Sequence, residues 1–246
     1  MRNIWTIASR EYKLYFNTPI AYVITAVIML VVGIIFYVNI NAVAVGLTQA
    51  PPNIGVVLNP LAFMFVFAIP ALTMRLISDE TREGTIELLQ TAPVHDWELA
   101  VGKWLGATLF IGTIMLLTLI FPIILNNLIE PGIDQLLMVS GYLGLLLVSM
   151  AFIALGVAAS SFFSSTVASF TTTMGINLTL WWLAGIPAQL SSSQFATVMR
   201  YLDFNAHFSS TMLRGVVELT DPIYYLSVTA IGLVVAAVSL ETKRWR

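Results

Sequence analysis

The sequence predicts an all-α integral membrane protein: six transmembrane helices, an amphipathic helix at the interface before them, and one short cytoplasmic helix between the second and third. Three observations predict it. Apolar residues fill 58% of the 246 positions and charged residues only 10%, against about 45–50% and about 25% in soluble domains, so polar surface is too scarce to coat a globule in water. The 13 acids and 11 bases are bunched, leaving charge-free stretches between Lys13 and Arg75, Lys103 and Glu130, Gln135 and Met199, and Pro222 and Leu240. Those stretches are continuously apolar and lack the alternation of barrel strands. A chain this apolar is not disordered. A net charge of −2 offers no field for nucleic acid, and without cysteine there is no disulfide framework or thiolate metal site.

The first element is Arg2–Phe16. At 100° per residue, Ile4, Trp5, Ile7, Ala8, Tyr12, Leu14, Tyr15 and Phe16 share one side, while Thr6, Ser9, Arg10 and Lys13 share the other. Glu11 alone intrudes on the apolar face. The pattern fits an interfacial helix over 1–18, with a plain topogenic lead-in as the other reading. A cleaved signal peptide is disfavoured, because the apolar run from Ile20 to Val38 exceeds an ordinary signal core.

A membrane crossing takes about 20 apolar residues. The gaps accordingly hold spans at about 20–40, 57–77, 104–125, 136–159, 167–187 and 223–240. Ala50–Gly55, rich in Pro, Gly and Asn, divides the first pair, and Ser160–Ser165 divides the fourth from the fifth. Pro60, Pro70 and Pro122 kink helices without ending them. With six spans both termini share a side, and nine of the 11 basic residues share it with them, only Arg200 and Arg214 lying opposite. The positive-inside rule makes that side cytoplasmic, in the cell (inner or plasma) membrane. Trp104, Trp181, Trp182, Tyr224, Tyr225 and Trp245 fall near span ends, as an interfacial belt does.

Six of the 13 acids crowd into the cytoplasmic loop 78–103. Gly84 ends the helix continuing from the second span, Thr85 caps a new one, and Pro93 stops it. Asp96 then caps the helix entering the third span, with Glu98 in its first turn. The brief helix exposes Ile86, Leu88 and Leu89, and apolar side chains on a cytosolic turn call for a partner; a hairpin packed on its own neighbours is the alternative. The extracytoplasmic segment 188–222 carries two helix-like stretches, Phe195–Tyr201 and Phe208–Leu219, either half-inserted or in an ordinary loop.

The chain has no phosphate-binding G-x-x-x-x-G-K-[ST], no H-E-x-x-H and no G-x-S-x-G. His95 and His207 stand apart, which favours solvated or locally bonded roles over metal ligation. No ionisable residue falls near the middle of a predicted span, where ion-coupled carriers and intramembrane hydrolases place such groups. Asn59, Asn126, Asn127 and Asn177 either line a pathway or, as the favoured reading, make interhelical hydrogen bonds. Gly102-x-x-x-Gly106 permits close helix packing.

Several stretches together resemble the ABC-2 type exporter permeases, closest to their gliding-motility-type branch. They are Arg10-Glu11-Tyr12 to Phe16-Asn17-Thr18-Pro19-Ile20-Ala21-Tyr22; Ile77-Ser78-Asp79-Glu80 through Gly84-Thr85-Ile86-Glu87-Leu88-Leu89 to Ala92-Pro93-Val94; Val101-Gly102-Lys103; Phe204-Asn205-Ala206-His207-Phe208 with Arg214-Gly215-Val216-Val217; and Leu240-Glu241-Thr242-Lys243-Arg244-Trp245. The resemblance implies a single ABC-2 transmembrane domain over 1–246. It implies a non-catalytic subunit of an ATP-driven exporter, working with two separate cytosolic ATP-binding cassette ATPases and a second permease protomer, identical or different. The ATPases bind ATP and Mg; this chain holds no cofactor. By position, Glu83, Gly84, Thr85, Ile86, Glu87, Leu88, Leu89, Ala92 and Pro93 form the ATPase-coupling element, and Trp5, Arg10, Glu11 and Tyr12 belong to the connecting helix. The work done is substrate export or force transmission across the membrane, with membrane lipids around the chain and a companion protein outside as a further partner. The rival reading is a stand-alone ion-coupled carrier or a membrane-embedded enzyme. Substrate identity is not encoded in any motif.

Overall fold

The structure, a computed structural model, describes residues 2–47, 52–84, 95–130, 132–190 and 194–244, and the elements named here lie among them. In chain order they are α1 (Arg2–Asn17), α2 (Pro19–Ala44), α3 (Gly55–Thr73), α4 (Ser78–Arg82), α5 (Asp96–Thr118), α6 (Ile120–Leu128), α7 (Gln135–Phe162), α8 (Thr166–Leu178), a π-helical turn (Thr179–Leu183), α9 (Gly185–Leu190), α10 (Gln194–Leu202), α11 (Phe204–Ser210), a 3-10 turn (Met212–Arg214) and α12 (Thr220–Arg244). The described residues contain no strand. Five stretches are long and apolar enough to cross a membrane: Pro19–Ala44, Gly55–Arg82, Asp96–Leu128, Gln135–Phe162 and Thr220–Lys243. The stretch expected as the fifth span, 167–187, is a composite of α8, the π turn and the start of α9. The π turn closes through the Ala184 N–H donating to the Thr179 carbonyl five residues back.

α7 is the mast of the bundle. Its small residues let other elements approach until ordinary side chains would collide. A Cβ at Gly156 would lie 2.2 Å from Thr73 Oγ1, one at Gly144 2.3 Å from Met212 Sδ, and one at Gly141 2.3 Å from Leu58. On the facing helix, a Cβ added at Gly232 of α12 would lie 3.0 Å from the Ala154 backbone. Hydroxyls then join the elements: Ser140 donates to the Met212 carbonyl, and Ser239 of α12 to the Ser161 carbonyl. Ser160 and Ser161, expected in the divider between spans, are therefore inside α7 and fully buried. The divider is only the short turn before Ser165, which caps α8 by accepting the Ala168 N–H. Runs of serine mark loops in water; within a bundle they serve equally as small hydrogen-bonding surfaces.

Two of the three prolines stay within a continuous helix as expected, and the third does not. Pro60 and Pro70 sit inside an unbroken α3. Pro122 lacks the N–H that would bond the Thr118 carbonyl, and the helix breaks at Leu119. The freed turn is tied through Thr118 Oγ1, which bonds the Met115 carbonyl and the Tyr142 hydroxyl.

The aromatic belt is largely internal. Trp104 donates its indole N–H to the Met150 carbonyl at 2.9 Å, Tyr224 its hydroxyl to Leu202 O at 3.1 Å, and Tyr225 to Phe204 O at 2.8 Å. Trp181 is buried too, against Phe152 and Phe208; Trp182 remains exposed. These polar aromatics find carbonyl partners inside the bundle, which substitute for the water an interface would offer. The asparagines depart from expectation as well. Asn126 ties its own turn, accepting from Ile133 N and Gln135 Nε2, while Asn177 is buried with neither amide atom bonded.

One end of the bundle gathers α1, α4, the start of α5, the end of α7 and the end of α12; we call it the basal end. Replacing Gly156 by Leu forces a branched side chain onto Thr73 and is expected to cost about 1–3 kcal/mol. The same exchange at Gly112, with nothing within 4 Å, is expected to leave the thermal midpoint in detergent nearly unchanged.

Candidate functional site

The basal junction begins with two glycines. Gly102 and Gly106 of α5 lie against α1, where an added Cβ would come within 2.7 Å of Ile7 and of Glu11 respectively. The close packing expected of Gly102-x-x-x-Gly106 is thus realised, with α1 as its partner. α5 starts at Asp96, so Lys103, expected at the end of a loop, lies two turns inside the helix. Its N-cap is His95 rather than Asp96, and Glu98 accepts the His95 N–H at 3.2 Å and Asn3 Nδ2 at 3.1 Å.

The approach of α1 explains its one misplaced acid. Lys103 is 2% exposed. Its ammonium donates to Glu11 Oε1 of α1 at 3.0 Å and to Glu80 Oε1 of α4 at 2.7 Å. An unpaired ammonium this deep would be strongly disfavoured, so the ion cluster fixes three elements to one another. α1 is further held by Tyr12 OH against Thr113 Oγ1 at 3.0 Å and by Tyr15 OH donating to the Leu72 carbonyl at 3.2 Å. Burial, with the Glu11 carboxylate adding to it, pushes the Tyr15 hydroxyl well above the ordinary phenol range and keeps it a donor. The face of α1 that packs is Ala8, Glu11 and Tyr15; Trp5, Leu14 and Phe16 are exposed. Arg10 is exposed as well.

α4 is tied from two further directions. The N–H groups of Ile77 and Ser78 both donate to Ser160 Oγ of α7 at 3.0 Å, and Ser78 Oγ bonds the Met74 carbonyl. Lys243 of α12 donates to Thr81 Oγ1 at 3.2 Å. The helix then stops: Glu83 is its C-cap, and Gly84 follows in the left-handed region at φ +69. Glu83 and Gly84 are exposed. Thr85, Ile86, Glu87, Leu88, Leu89, Ala92 and Pro93 lie outside the described residues. The structure therefore joins Glu11 and Tyr12 to the anchor, and places Glu83 and Gly84 at the threshold of the expected coupling element.

At the opposite end, residues 194–222 fold back into the bundle. α10 matches the expected stretch Phe195–Tyr201, but Phe208–Leu219 is no single helix: α11 ends at Ser210 and the 3-10 turn ends at Gly215, with φ +81. Phe204 and Phe208 are fully buried, Phe204 stacking on Phe152 at 5.1 Å. Asp203 caps α11 through the N–H groups of Asn205 and Ala206; burial pushes its carboxyl above the ordinary range, against the pull of those bonds and of His207. His207 is locally bonded, to Asp221 at 2.8 Å and to the Tyr201 carbonyl at 3.1 Å. Among the described residues no group of three or more His, Asp or Glu could hold a metal ion.

An anchored basal junction beneath a bundle of apolar helices accords with what the sequence matches: the family model described as ABC-2 family transporter protein, over residues 5–226. The chain belongs to the ABC-2 transporter family. No individual curated protein matches it. As an ABC-2 transporter it is a multi-pass membrane component, a permease of the exporter type, in a family of generally non-catalytic subunits that associate with ATPases and dimerise.

Sequence reading missed the ion cluster. One signal for it was present: a single carboxylate on the apolar face of α1, at a position whose partner could only be a buried cation. Removing the cation tests the arrangement. Lys103→Met leaves two carboxylates facing each other in the junction and is expected to lower unfolding stability by about 3–5 kcal/mol. Adding Glu11→Leu and Glu80→Leu to that variant recovers most of the loss, as read by denaturant unfolding in detergent.

Proposed function

We propose that this ABC-2 permease is driven by separate cytosolic ATPases, and that the basal junction is where their movement enters the bundle. Lys103 carries the reading: its buried ammonium holds α4, the helix immediately before residues 85–93, to both α1 and α5. A push on that loop then reaches the second and third spans through a rigid joint. ATP binding draws two ATPases together, and a dimer of permeases shifts between inward- and outward-open arrangements. Such a shift is only as large as the difference in affinity for the two states. The reading sets the termini and the 78–103 loop in the cytoplasm and the chain in the cell membrane, supported by the nine basic residues on that side. Thr85–Ala92 is the segment that sits on the ATPase, with α1 as the connecting helix. The partner ATPases supply ATP, Mg and hydrolysis, and this chain supplies the path or the transmitted force.

The test is association. Leu88→Glu and Leu89→Glu, each placing a charge on the proposed contact, are expected to abolish co-purification with the cognate ATPase at an unchanged thermal midpoint. The purified chain alone is expected to hydrolyse no ATP. Normal ATPase binding by both variants overturns the reading.

A further inference from the structure

A cavity of about 580 Å³ opens at the basal end between α1, the start of α2, and the α3–α4 arm. Leu14, Ile20 and Leu72 give it an apolar floor, while Arg10, Arg75 and Glu83 stand at its charged rim. Arg75 is the first charged residue after the long apolar stretch that begins beyond Lys13, so the rim lies where hydrocarbon gives way to headgroups. All three rim residues are exposed, and none is in an ion pair among the described residues. The adjoining cluster pairs Glu11 and Glu80 with the Lys103 ammonium, and Arg10 lies near enough to Glu80 to act on its charge. An apolar floor under a rim of both signs is complementary to an amphiphile carrying both signs.

We infer that this cavity binds a phospholipid whose headgroup holds a phosphate and a primary ammonium. The two guanidiniums take the phosphate oxygens, for which their planar donor forks are suited. The ammonium faces the exposed Glu83, and the acyl chain runs over Leu14 and Leu72. Basic recesses between helices at this depth are an established mode of headgroup recognition. The carboxylate here adds selection for an N–H-bearing cation over a quaternary one, which has no hydrogen to donate. The lipid would be wedged between α1 and the α3–α4 arm, bracing the joint around Lys103. The inference goes beyond the proposed function and requires only that the chain sit in a membrane, so it stands or falls apart from any ATPase partner.

The experiment takes the full chain in mild detergent with phosphatidylethanolamine, phosphatidylcholine, phosphatidylglycerol or inorganic phosphate, and counts bound lipid by native mass spectrometry. One phosphatidylethanolamine is expected per chain, retained at least ~10-fold better than phosphatidylcholine or phosphatidylglycerol, and undisturbed by equimolar phosphate. The Arg10→Gln/Arg75→Gln pair loses it ~10-fold, and Glu83→Gln erases the preference over phosphatidylcholine. Leu14→Trp, which fills the floor from an exposed position and touches no charge, also loses it, while melting in lipid-free detergent shows each variant folded. Equal retention of the three lipids, displacement by phosphate, or undiminished binding in the paired arginine variant overturns the inference.

Discussion

The junction depends on one ammonium removed from water. Lys103 sits two turns inside α5 and 2% exposed, with a carboxylate from α1 on one side and a carboxylate from α4 on the other. Burying an ammonium is so unfavourable that it dictates its surroundings: α1 cannot lift away and α4 cannot swing out without leaving a charge uncompensated. The two glycines before and after Lys103 make the geometry attainable, because they bring the α1 backbone close enough for the short reach of Glu11. Packing, charge pairing and the position of the following loop are therefore one constraint.

The two ends of the bundle are built differently. At the basal end the joints are ionic and hydroxyl-mediated: Lys103, Ser160 and Lys243 hold a five-residue helix from three sides. At the other end aromatic packing joins the polar ties: Phe204 and Phe208 are inserted among Phe152, Trp181 and Tyr225, beside the His207–Asp221 pair. Aromatic packing yields by small slides.

Much of the architecture was legible in the sequence because the membrane is a severe solvent. Charge-free stretches of the right length fixed where the apolar helices run, and Gly84 marked a helix end by local backbone chemistry alone; the break before Pro122 was not foreseen. The same reading misassigned features whose meaning depends on what lies beside them. Ser160 and Ser161 read as a loop, and Tyr224, Tyr225, Trp104 and Trp181 read as an interfacial belt. Ser160, Ser161, Trp181, Tyr224 and Tyr225 are buried and Trp104 is half-buried, and Ser160, Trp104, Tyr224 and Tyr225 find polar partners on other elements. The candidate site was half visible: Glu11, Gly102 and Lys103 each stood out or lay in a quoted motif, but nothing local says that they meet.

By itself the sequence determined what local physics can determine: an all-α chain embedded in lipid, its charged ends, its breakers and its family. Period, length and composition are properties of a segment, and a bilayer reads them segment by segment. Only the tertiary structure decided that a lone acid on an apolar face answers a buried lysine some ninety positions away, and that this pair closes on α4. Burial and pairing are relations between segments, and the free energy of a charge in a membrane protein is set by its neighbour rather than by its place in the chain.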